Sequence, residues 1–494
     1  MKQPNIIFIM TDDHASHAMS CYGSKMNVTP NMDRIANEGM RFDNCFCTNS
    51  ICAPSRAVIL TGKHSHLNGV VTLLDDFDAR QQTFPKLLQT VGYKTAMIGK
   101  WHLGEGGHSD PVDFDYWCVL HGQGDYYDPL MKQQGVDKRF KGYVTDIITD
   151  MSLDFIKGRD KDKPFLLMCH HKAPHRPWIP SEKYKDLYND VEIPQPETFN
   201  DDYSTRCDAA REAEMTVDHD LTYRDLKLVP PEGQVKVAPR FNKIAPPESL
   251  DGYTLTPVET GIPVSFNSYE ELKNFKYQRY MKDYLRCVAS VDDSIGEILD
   301  LLDKEGIAED TIVVYTSDQG FFLGDHGWYD KRFMYEESLR MPFVIKYPKA
   351  IQPGRVSDKM ILNLDFAETF LDLAGVKIPD DMQGQSFKQI LEDENAPAIQ
   401  TEMYYRYWMH LADHGIWSHY GIRTMDYKLI YYYAEALGKS GTIDETREPA
   451  WELFDLNKDP HELNNVYDDP QYADIIVKLK ADLYKLKAEA QDNE

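Results

Sequence analysis

The sequence lacks any long apolar run. None of its 494 residues lies in a stretch approaching the roughly 18 consecutive apolar residues of a membrane-spanning helix. The apolar run near the start, residues 6–10, is also too short for the hydrophobic region of a signal peptide. As written, the sequence therefore predicts a cytoplasmic protein without a membrane partner. If a leader has been trimmed from it, a periplasmic or secreted protein is expected instead.

Positive charge is scarce, and cysteine follows no recognisable pattern. The chain has 54 Lys and Arg against 80 Asp and Glu, a formal net charge of −26, which argues against nucleic acid or an anionic membrane as a partner. Its eight cysteines include no C-x-x-C pair and no Cys/His zinc spacing. Scattered thiols of this kind are typical of a reducing compartment, where most are small buried side chains.

The pattern along the chain predicts an α/β fold. Hydrophobic residues make up 42% of the chain and charged residues 27%, as in an ordinary globular protein. Short apolar strands alternate with helical segments; the strands are predicted at residues 5–10, 94–98, 165–169 and 312–316, and the helices at 30–38, 83–91, 143–156 and 280–302. Such repeats favour a mainly parallel sheet sandwiched by helices.

Two domains are expected. Residues 1–375 form the α/β/α unit, interrupted at about 181–276 by a long polar, proline-bearing insertion that either shapes a pocket or is a tolerated surface excursion. Residues 376–494 form a smaller α+β domain. Its antiparallel sheet is predicted from short strands at 403–407, 420–424, 428–433 and 451–455, followed by a terminal helix at about 470–489.

Polar clusters follow four of the predicted strands. They are Asp12 and Asp13, then Lys100 and His102, then His175, then Asp318 and Gln319. The carboxyl ends of parallel strands share one edge of a sheet, where ligands bind, so these side chains are expected to meet.

The carboxylates of this edge predict a site for one divalent cation. Asp-Asp pairs occur six times in the chain and most must be solvated turns, but Asp12 and Asp13 end a buried strand and therefore need neutralising. Asp318, with the amide oxygen of Gln319 as a further ligand, would complete a cage of oxygen atoms. Hard oxygen donors favour Ca²⁺ or Mg²⁺ over Zn²⁺.

The most specific segment is residues 52–62, C-A-P-S-R-A-V-I-L-T-G. C-x-P-S-R followed by L-T-G resembles the signature of the type I, formylglycine-dependent sulfatases of the alkaline-phosphatase-like superfamily. Further motifs of that family follow in its order: D-D at 12–13, G-K-W-H-L-G at 99–104, A-P-H at 173–175, S-D-x-G at 317–320 and E-L-F-D-L-x-x-D-P-x-E at 452–462.

The chemistry of a sulfate ester is consistent with these residues. Cys52 precedes the apolar helical stretch 57–60, and a helix N-terminus favours an anion. Attack on sulfur places negative charge on the leaving alkoxide, so that fixed cations and a proton donor are needed. The candidates are Arg56, Lys100, His102, His175 and Lys331.

The resemblance implies a role for each of these positions. Residue 52, oxidised to formylglycine by a formylglycine-generating or anaerobic sulfatase-maturating enzyme, supplies a hydroxyl that attacks sulfur and then releases the bound sulfate as the aldehyde reforms. Its hydroxyl and the side chains of Asp12, Asp13, Asp318 and Gln319 bind the metal, with Ca²⁺ expected ahead of Mg²⁺. Arg56 and His102 support the formylglycine, while Lys100, His175 and Lys331 hold sulfate or protonate the leaving oxygen. Gln319 departs from the family, in which many members carry Asn.

Residues 320–331 resemble the carbohydrate-sulfatase branch of the family. In this interpretation Asp325 and His326 bind sugar hydroxyls and Trp178 stacks on a sugar ring. The expected substrate is a sulfate monoester on a small sugar, or on the end of a sulfated glycan, of glucosamine or uronate type. A metal ion and three cations outweigh three carboxylates in this pocket, so a small anion fits it even though the whole chain is acidic.

Three alternatives remain. The protein could be an arylsulfatase of broad specificity, or a formylglycine-dependent hydrolase of phosphonate monoesters or phosphodiesters. A more distant alternative is a non-catalytic protein that binds sulfated sugars and keeps Cys52 as a thiol.

Overall fold

The computed structural model describes residues 3–231 and 242–494. Residues 232–241, part of the predicted insertion, lie outside the described residues. The helices are α1 Pro30–Asn37, α2 Cys52–Thr61, α3 Ser65–Asn68, α4 Phe84–Gln89, α5 Val144–Lys157, α6 Asp208–Arg211, α7 Tyr269–Lys304, α8 Glu336–Leu339, α9 Phe366–Leu373, α10 Lys388–Glu392 and α11 Ala473–Glu489. The strands are β1 Asn5–Thr11, β2 Met40–Phe42, β3 Cys45–Phe46, β4 Lys94–Gly99, β5 Tyr116–Leu120, β6 Leu130–Gln133, β7 Val136–Arg139, β8 Phe165–His170, β9 Thr254–Leu255, β10 Val264–Ser265, β11 Thr311–Ser317, β12 Phe322–Leu323, β13 Tyr329–Asp330, β14 Phe343–Lys346, β15 Arg355–Ser357, β16 Ile361–Leu362, β17 Glu402–Tyr407, β18 His419–Thr424, β19 Tyr427–Tyr432 and β20 Ala450–Asp455.

A ten-stranded sheet forms the body of the protein, in the order β15-β2-β14-β11-β1-β8-β4-β5-β6-β7. The five central strands, β11 to β5 in this order, pair in parallel, and only β14 and β6 run against the other eight. Every residue of β1 is buried, as expected for a central strand covered on both faces. The prediction of a mainly parallel sheet between helices is therefore confirmed.

The long helix α7 begins eleven residues earlier than predicted, at Tyr269 rather than at residue 280. Ser268 caps it, since its hydroxyl accepts the backbone N–H of Glu271. The first turns contain buried polar residues that interrupt the apolar stripe; Lys276, for example, is fully buried and donates to the carbonyl of Ile244 at 2.6 Å. The apolar periodicity does not identify these turns as helical, because their buried polar side chains bond to partners in the insertion.

The described part of the insertion packs inward. Met215, Val217 and Leu221 are buried, and the backbone N–H of Tyr329 in β13 donates to the carbonyl of Met215 at 2.9 Å. The insertion thus supports the hairpin β12–β13, which directly precedes Lys331. Both interpretations of this segment, one that shapes a pocket and a tolerated surface excursion, stay predictions.

A second, four-stranded antiparallel sheet, β17-β18-β19-β20, lies in the C-terminal part of the chain. Helix α11 packs on it through the buried Leu479 and Leu483. The smaller antiparallel sheet with a terminal helix is confirmed, whereas the domain boundary at 375/376 remains a prediction. Among the described residues, no helix combines the length and apolar character needed to cross a bilayer.

Candidate active site

The ends of β11, β1, β8 and β4 lie side by side at one edge of the large sheet. Thr11 pairs with Ser317, Met10 with His170, and His170 with Gly99. The polar clusters that follow these four strands therefore meet, as the strand-end argument predicts.

Three carboxylates form the floor of the site. The ligand oxygens of Asp12, Asp13 and Asp318 lie within 4.8 Å of one another, and all three side chains are fully buried. Burial raises the pKa of Asp13 to about 6, against the opposing effect of Lys331. Such a concentration of buried negative charge requires cations nearby.

This donor set fits a hard divalent cation. The side-chain N–H of Gln319 donates to Asp13 Oδ1 at 2.5 Å, while Gln319 Oε1 is buried and has no hydrogen-bond partner in the described chain. A ligand atom from each of Asp12, Cys52 and His175 also falls within 4.8 Å of the other two. Several oxygen donors and an orphaned amide oxygen suit Ca²⁺ or Mg²⁺.

Cys52 is the first residue of α2 and follows Ile51, which is extended. Its thiol donates to Asp12 Oδ1 at 3.3 Å and lies 3.4 Å from Lys331 Nζ. Burial raises the pKa of Cys52 to about 12, so the unmodified residue remains a thiol and is a poor nucleophile. Gly62 ends the helix with φ 62°, and a Cβ there would come within 2.5 Å of the Glu368 carboxylate, which explains the glycine of the L-T-G motif.

Cations surround the carboxylates. Arg56 Nε donates to Asp318 Oδ2 at 3.0 Å, and Arg56 also donates to the carbonyl of Lys100 at 2.7 Å. Lys100 forms an ion pair with Asp12, and Lys331 forms one with Asp13. Burial lowers the pKa of Lys331, but Asp13 and other negative groups outweigh it, and the pKa is raised overall.

The two predicted catalytic histidines lie at the mouth of this cluster. His175 Nε2 is 3.8 Å from Asp13 Oδ2, and its Nδ1 is 2.8 Å from the carbonyl of Arg176. Burial, followed by the charge of Lys100, lowers the pKa of both His102 and His175 well below the usual range. The structure thus brings together all six predicted catalytic residues and all the predicted metal ligands.

Gln123 is a site residue that the sequence analysis missed. Its Oε1 accepts from Lys100 Nζ, its side-chain N–H faces His102 Nε2 at 3.2 Å, and its carbonyl accepts from Lys172 Nζ at 2.9 Å. It therefore links two of the predicted catalytic side chains. The apolar run at 116–120 is the signal that could have identified it, because Gln123 follows the end of this strand, which pairs with β4.

The neighbours of Lys331 form a second group that the sequence analysis missed. Asp330 and Arg332 flank it with φ values of 77° and 94°. Asp330 Oδ2 lies 3.2 Å from His414 Nε2 and 3.9 Å from an Arg176 nitrogen. These residues come from distant parts of the chain, and no local motif marks them as a group.

The predicted sugar contacts are not supported. Trp178 is fully buried with its ring against Tyr280, at 4.6 Å between centroids, so that it cannot stack on a sugar, and this prediction is wrong. His326 is also fully buried, with Nδ1 2.9 Å from Asp201, and is wrong as a hydroxyl contact. Asp325 binds His17 at 3.2 Å and the backbone N–H of Leu323 at 2.9 Å, which assigns its carboxylate to the turn before β13.

A buried carboxylate triad, a cysteine at a helix N-terminus and a ring of cations on an α/β sheet define a metal-dependent hydrolase of anionic esters. The chain belongs to the sulfatase family: the sequence model of that family, described as Sulfatase, matches residues 4–376. A second model, described as N-sulphoglucosamine sulphohydrolase, C-terminal, matches residues 324–489. The protein is therefore a sulfuric ester hydrolase.

Two relatives and one solved structure indicate its place in the family. An N-acetylglucosamine-6-O-sulfatase of Bacteroides thetaiotaomicron is 48% identical over 100% of this chain and 88% of its own length. An arylsulfatase of Clostridium perfringens is 26% identical over 98% of this chain and 94% of its own. A solved structure in complex with its substrate D-glucosamine-2-N,6-O-disulfate is 47% identical, covers 100% of this chain and 99% of that one, and superposes with a TM-score of 0.88.

Proposed function

We propose that this sulfatase removes the 6-O-sulfate of an N-acetylated or N-sulfated glucosamine, as a free sugar or at the end of a glycan chain. One observation carries the proposal. The chain matches, over its whole length and at nearly half identity, both a relative named for N-acetylglucosamine 6-O-sulfate and a structure with a glucosamine 2-N,6-O-disulfate bound.

The proposed site residues act as follows. Cys52, once matured to formylglycine, would supply a hydroxyl nucleophile as its hydrated aldehyde, and a cation held beside it would favour the ionised form of that hydroxyl. Arg56 binds both the carboxylate of Asp318 and the carbonyl of Lys100, and so fixes the segments after β11 and β4 relative to each other. Lys100 and Lys331, paired with Asp12 and Asp13, bind the non-bridging sulfate oxygens and stabilise charge that develops on them.

His175 is placed to transfer a proton to the leaving sugar oxygen. Its Nδ1 is held by the carbonyl of Arg176, so that Nε2 faces the carboxylate cluster. A bound anion beside the ring favours its protonated form. His102, whose ring faces the side-chain N–H of Gln123, is assigned the corresponding proton transfer at residue 52.

Asp12, Asp13, Asp318, Gln319 and residue 52 would hold the cation. We favour Ca²⁺ over Mg²⁺ because Ca²⁺ accepts many oxygen ligands in flexible geometry, and the long Gln319 side chain makes an ideal octahedron harder to build. Maturation of Cys52 requires a formylglycine-generating or anaerobic sulfatase-maturating enzyme as a partner.

A polar cavity of about 340 Å³ beside His102 supports a sugar rather than an aromatic substrate. Its lining includes the carboxylates of Asp75, Asp76 and Glu105. Carboxylates accept hydrogen bonds from sugar hydroxyls, whereas an aromatic ring would gain little against them. The volume suits one monosaccharide.

The test is a sulfate-release assay with the matured enzyme, whose residue 52 is checked by mass spectrometry. N-acetylglucosamine 6-sulfate and N-sulfoglucosamine 6-sulfate are compared with a 2-sulfated uronate, an aryl sulfate and matched phosphate and phosphonate esters. We expect the two 6-sulfated glucosamines to have the highest kcat/KM and the Cys52→Ala variant to be inactive. A higher kcat/KM on the aryl sulfate or on the phosphonate ester would contradict the proposal.

A further inference from the structure

Tyr405 joins two segments of the active site from outside it. This residue of β17, in the C-terminal sheet, is fully buried. Its hydroxyl accepts the backbone N–H of Ser50 at 3.1 Å and donates to the carbonyl of Arg332 at 2.7 Å. Ser50 lies two residues before Cys52, and Arg332 directly follows Lys331.

We infer that Tyr405 is a positioning residue, whose hydroxyl sets the spacing between residue 52 and Lys331. This inference rests on the proposed roles of those two residues. A single phenol can donate one hydrogen bond and accept another, and Tyr405 uses both to bridge the two backbones. The distance it governs is the 3.4 Å between Cys52 Sγ and Lys331 Nζ.

The segment after Lys331 needs such a restraint. Arg332 has a φ of 94°, in the left-handed region that a non-glycine residue adopts only when its surroundings enforce it. The bond to its carbonyl from Tyr405 is one such constraint. Ser50 is tied to the same stretch of chain a second time, because its hydroxyl donates to the carbonyl of Ser338 at 2.7 Å. Loss of the Tyr405 hydroxyl would therefore loosen the spacing between residue 52 and Lys331, while the bond from Ser50 to Ser338 still holds the two segments together.

The ring of Tyr405 can remain in place when the hydroxyl is removed. It stacks on His419, with centroids 5.6 Å apart, and Tyr405→Phe keeps this packing. What the variant loses is the partner of one buried N–H and one buried carbonyl. Both belong to active-site segments, so the effect falls on geometry there.

The experiment compares Tyr405→Phe with Tyr433→Phe. Tyr433 lies in the same C-terminal region, is buried, and donates its hydroxyl to the carbonyl of Tyr407 at 3.1 Å, a hydrogen bond that involves neither residue 50 nor residue 332. Rates are divided by the formylglycine content from mass spectrometry, and thermal midpoints are recorded. Because misplacement by about 1 Å can cost roughly 100-fold in rate, we expect kcat of Tyr405→Phe to fall about tenfold or more. Tyr433→Phe should stay within about twofold of wild type with a similar loss of midpoint. A kcat for Tyr405→Phe within about twofold of wild type would overturn the inference.

A double variant tests the route through Lys331. If Tyr405 acts by placing that ammonium group, adding Tyr405→Phe to Lys331→Met should lower kcat by less than about twofold, and a full multiplicative loss would overturn the inference. Each variant is assayed on a sugar sulfate and on an aryl sulfate. If the wild type hydrolyses only the aryl ester, the proposed substrate fails, while the aryl rates still decide the role of Tyr405.

Discussion

Lys331 offers the sharpest test of the site. Lys331→Met keeps the length of the side chain and removes its charge. The ammonium group it removes is buried between Asp13 and Cys52, and Asp13 and the other negative neighbours outweigh the effect of burial and raise its pKa. We expect the variant to bind and turn over sulfate esters poorly, because it lacks the ammonium group that faces the developing charge on sulfate.

The size of the effect follows from this position. Removing one preorganised donor of an oxyanion site costs roughly 100- to 1000-fold in kcat, or about 2.7–4 kcal/mol. A solvent-exposed ion pair would be worth about 1 kcal/mol or less, but Lys331 is almost completely buried. We therefore expect kcat/KM of Lys331→Met to fall at least about 100-fold, with both kcat and KM affected.

The assay is sulfate release from N-acetylglucosamine 6-sulfate, normalised to formylglycine content. Lys346→Met is the matched control, since Lys346 is a largely buried lysine at the end of β14, in the same sheet, and pairs with Glu38 at the end of α1. The control should lose stability without losing kcat/KM. If Lys331→Met kept more than about a third of wild-type kcat/KM, the assignment of Lys331 to the sulfate would be refuted.

Three further predictions address the metal, the sugar and the pH dependence of stability. Chelation should abolish activity and lower the thermal midpoint, and added Ca²⁺ should restore both. At a concentration 100 times its Kd, the ion adds about 2.7 kcal/mol to the free energy of unfolding. If the thermal midpoint of Asp318→Asn responded to Ca²⁺ as that of the wild type does, the metal site would be contradicted. Asp76→Asn, in the cavity beside His102, should lower kcat/KM for the sugar sulfate about three- to tenfold and leave kcat/KM for the aryl sulfate unchanged. Asp78→Asn is the control. Equal losses of kcat/KM on both substrates would exclude a sugar contact by Asp76. Burial, together with the charge of Asp365, raises the pKa of Glu368 to about 8, so the folded state favours the neutral form of this side chain. The stability that the neutral form contributes is complete below about pH 4.5 and is lost as the pH rises through 8. Glu368→Gln should therefore gain thermal midpoint relative to wild type between pH 5 and 9, and parallel pH profiles of the two proteins would count against this assignment.

The sequence predicts the centre of the site because local patterns determine it. Strands β1, β4, β8 and β11 are recognisable as apolar runs, and parallel strands bring their carboxyl ends together whatever their separation along the chain. The order of the strands is not needed for this conclusion. Hence the sequence alone places Asp12, Lys100, His175 and Asp318 at one edge of the sheet.

The rim of the site depends instead on contacts that have no local signature. Tyr405 and His414 reach the neighbourhood of Lys331 from the C-terminal part of the chain, more than 70 residues away in sequence. Trp178 shows the opposite difficulty, since an aromatic residue close to a catalytic histidine satisfies a sugar platform and a core position equally well in sequence. Only burial distinguishes the two, and burial is a property of the whole fold.

The acidity of the chain and the anionic substrate are reconciled by the pairing inside the site. Asp12, Asp13 and Asp318 are each paired with a buried basic side chain, from Lys100, Lys331 and Arg56 respectively, so the formal charges of these six groups cancel. A divalent ion held by these carboxylates would supply the excess positive charge. Surface carboxylates farther than about 8 Å from the sulfate are largely screened at physiological salt, so the surplus acid of the chain repels a long polyanion at the surface more than a single sulfate in the pocket. On this balance we expect the enzyme to prefer short substrates or chain ends by charge as well as by shape.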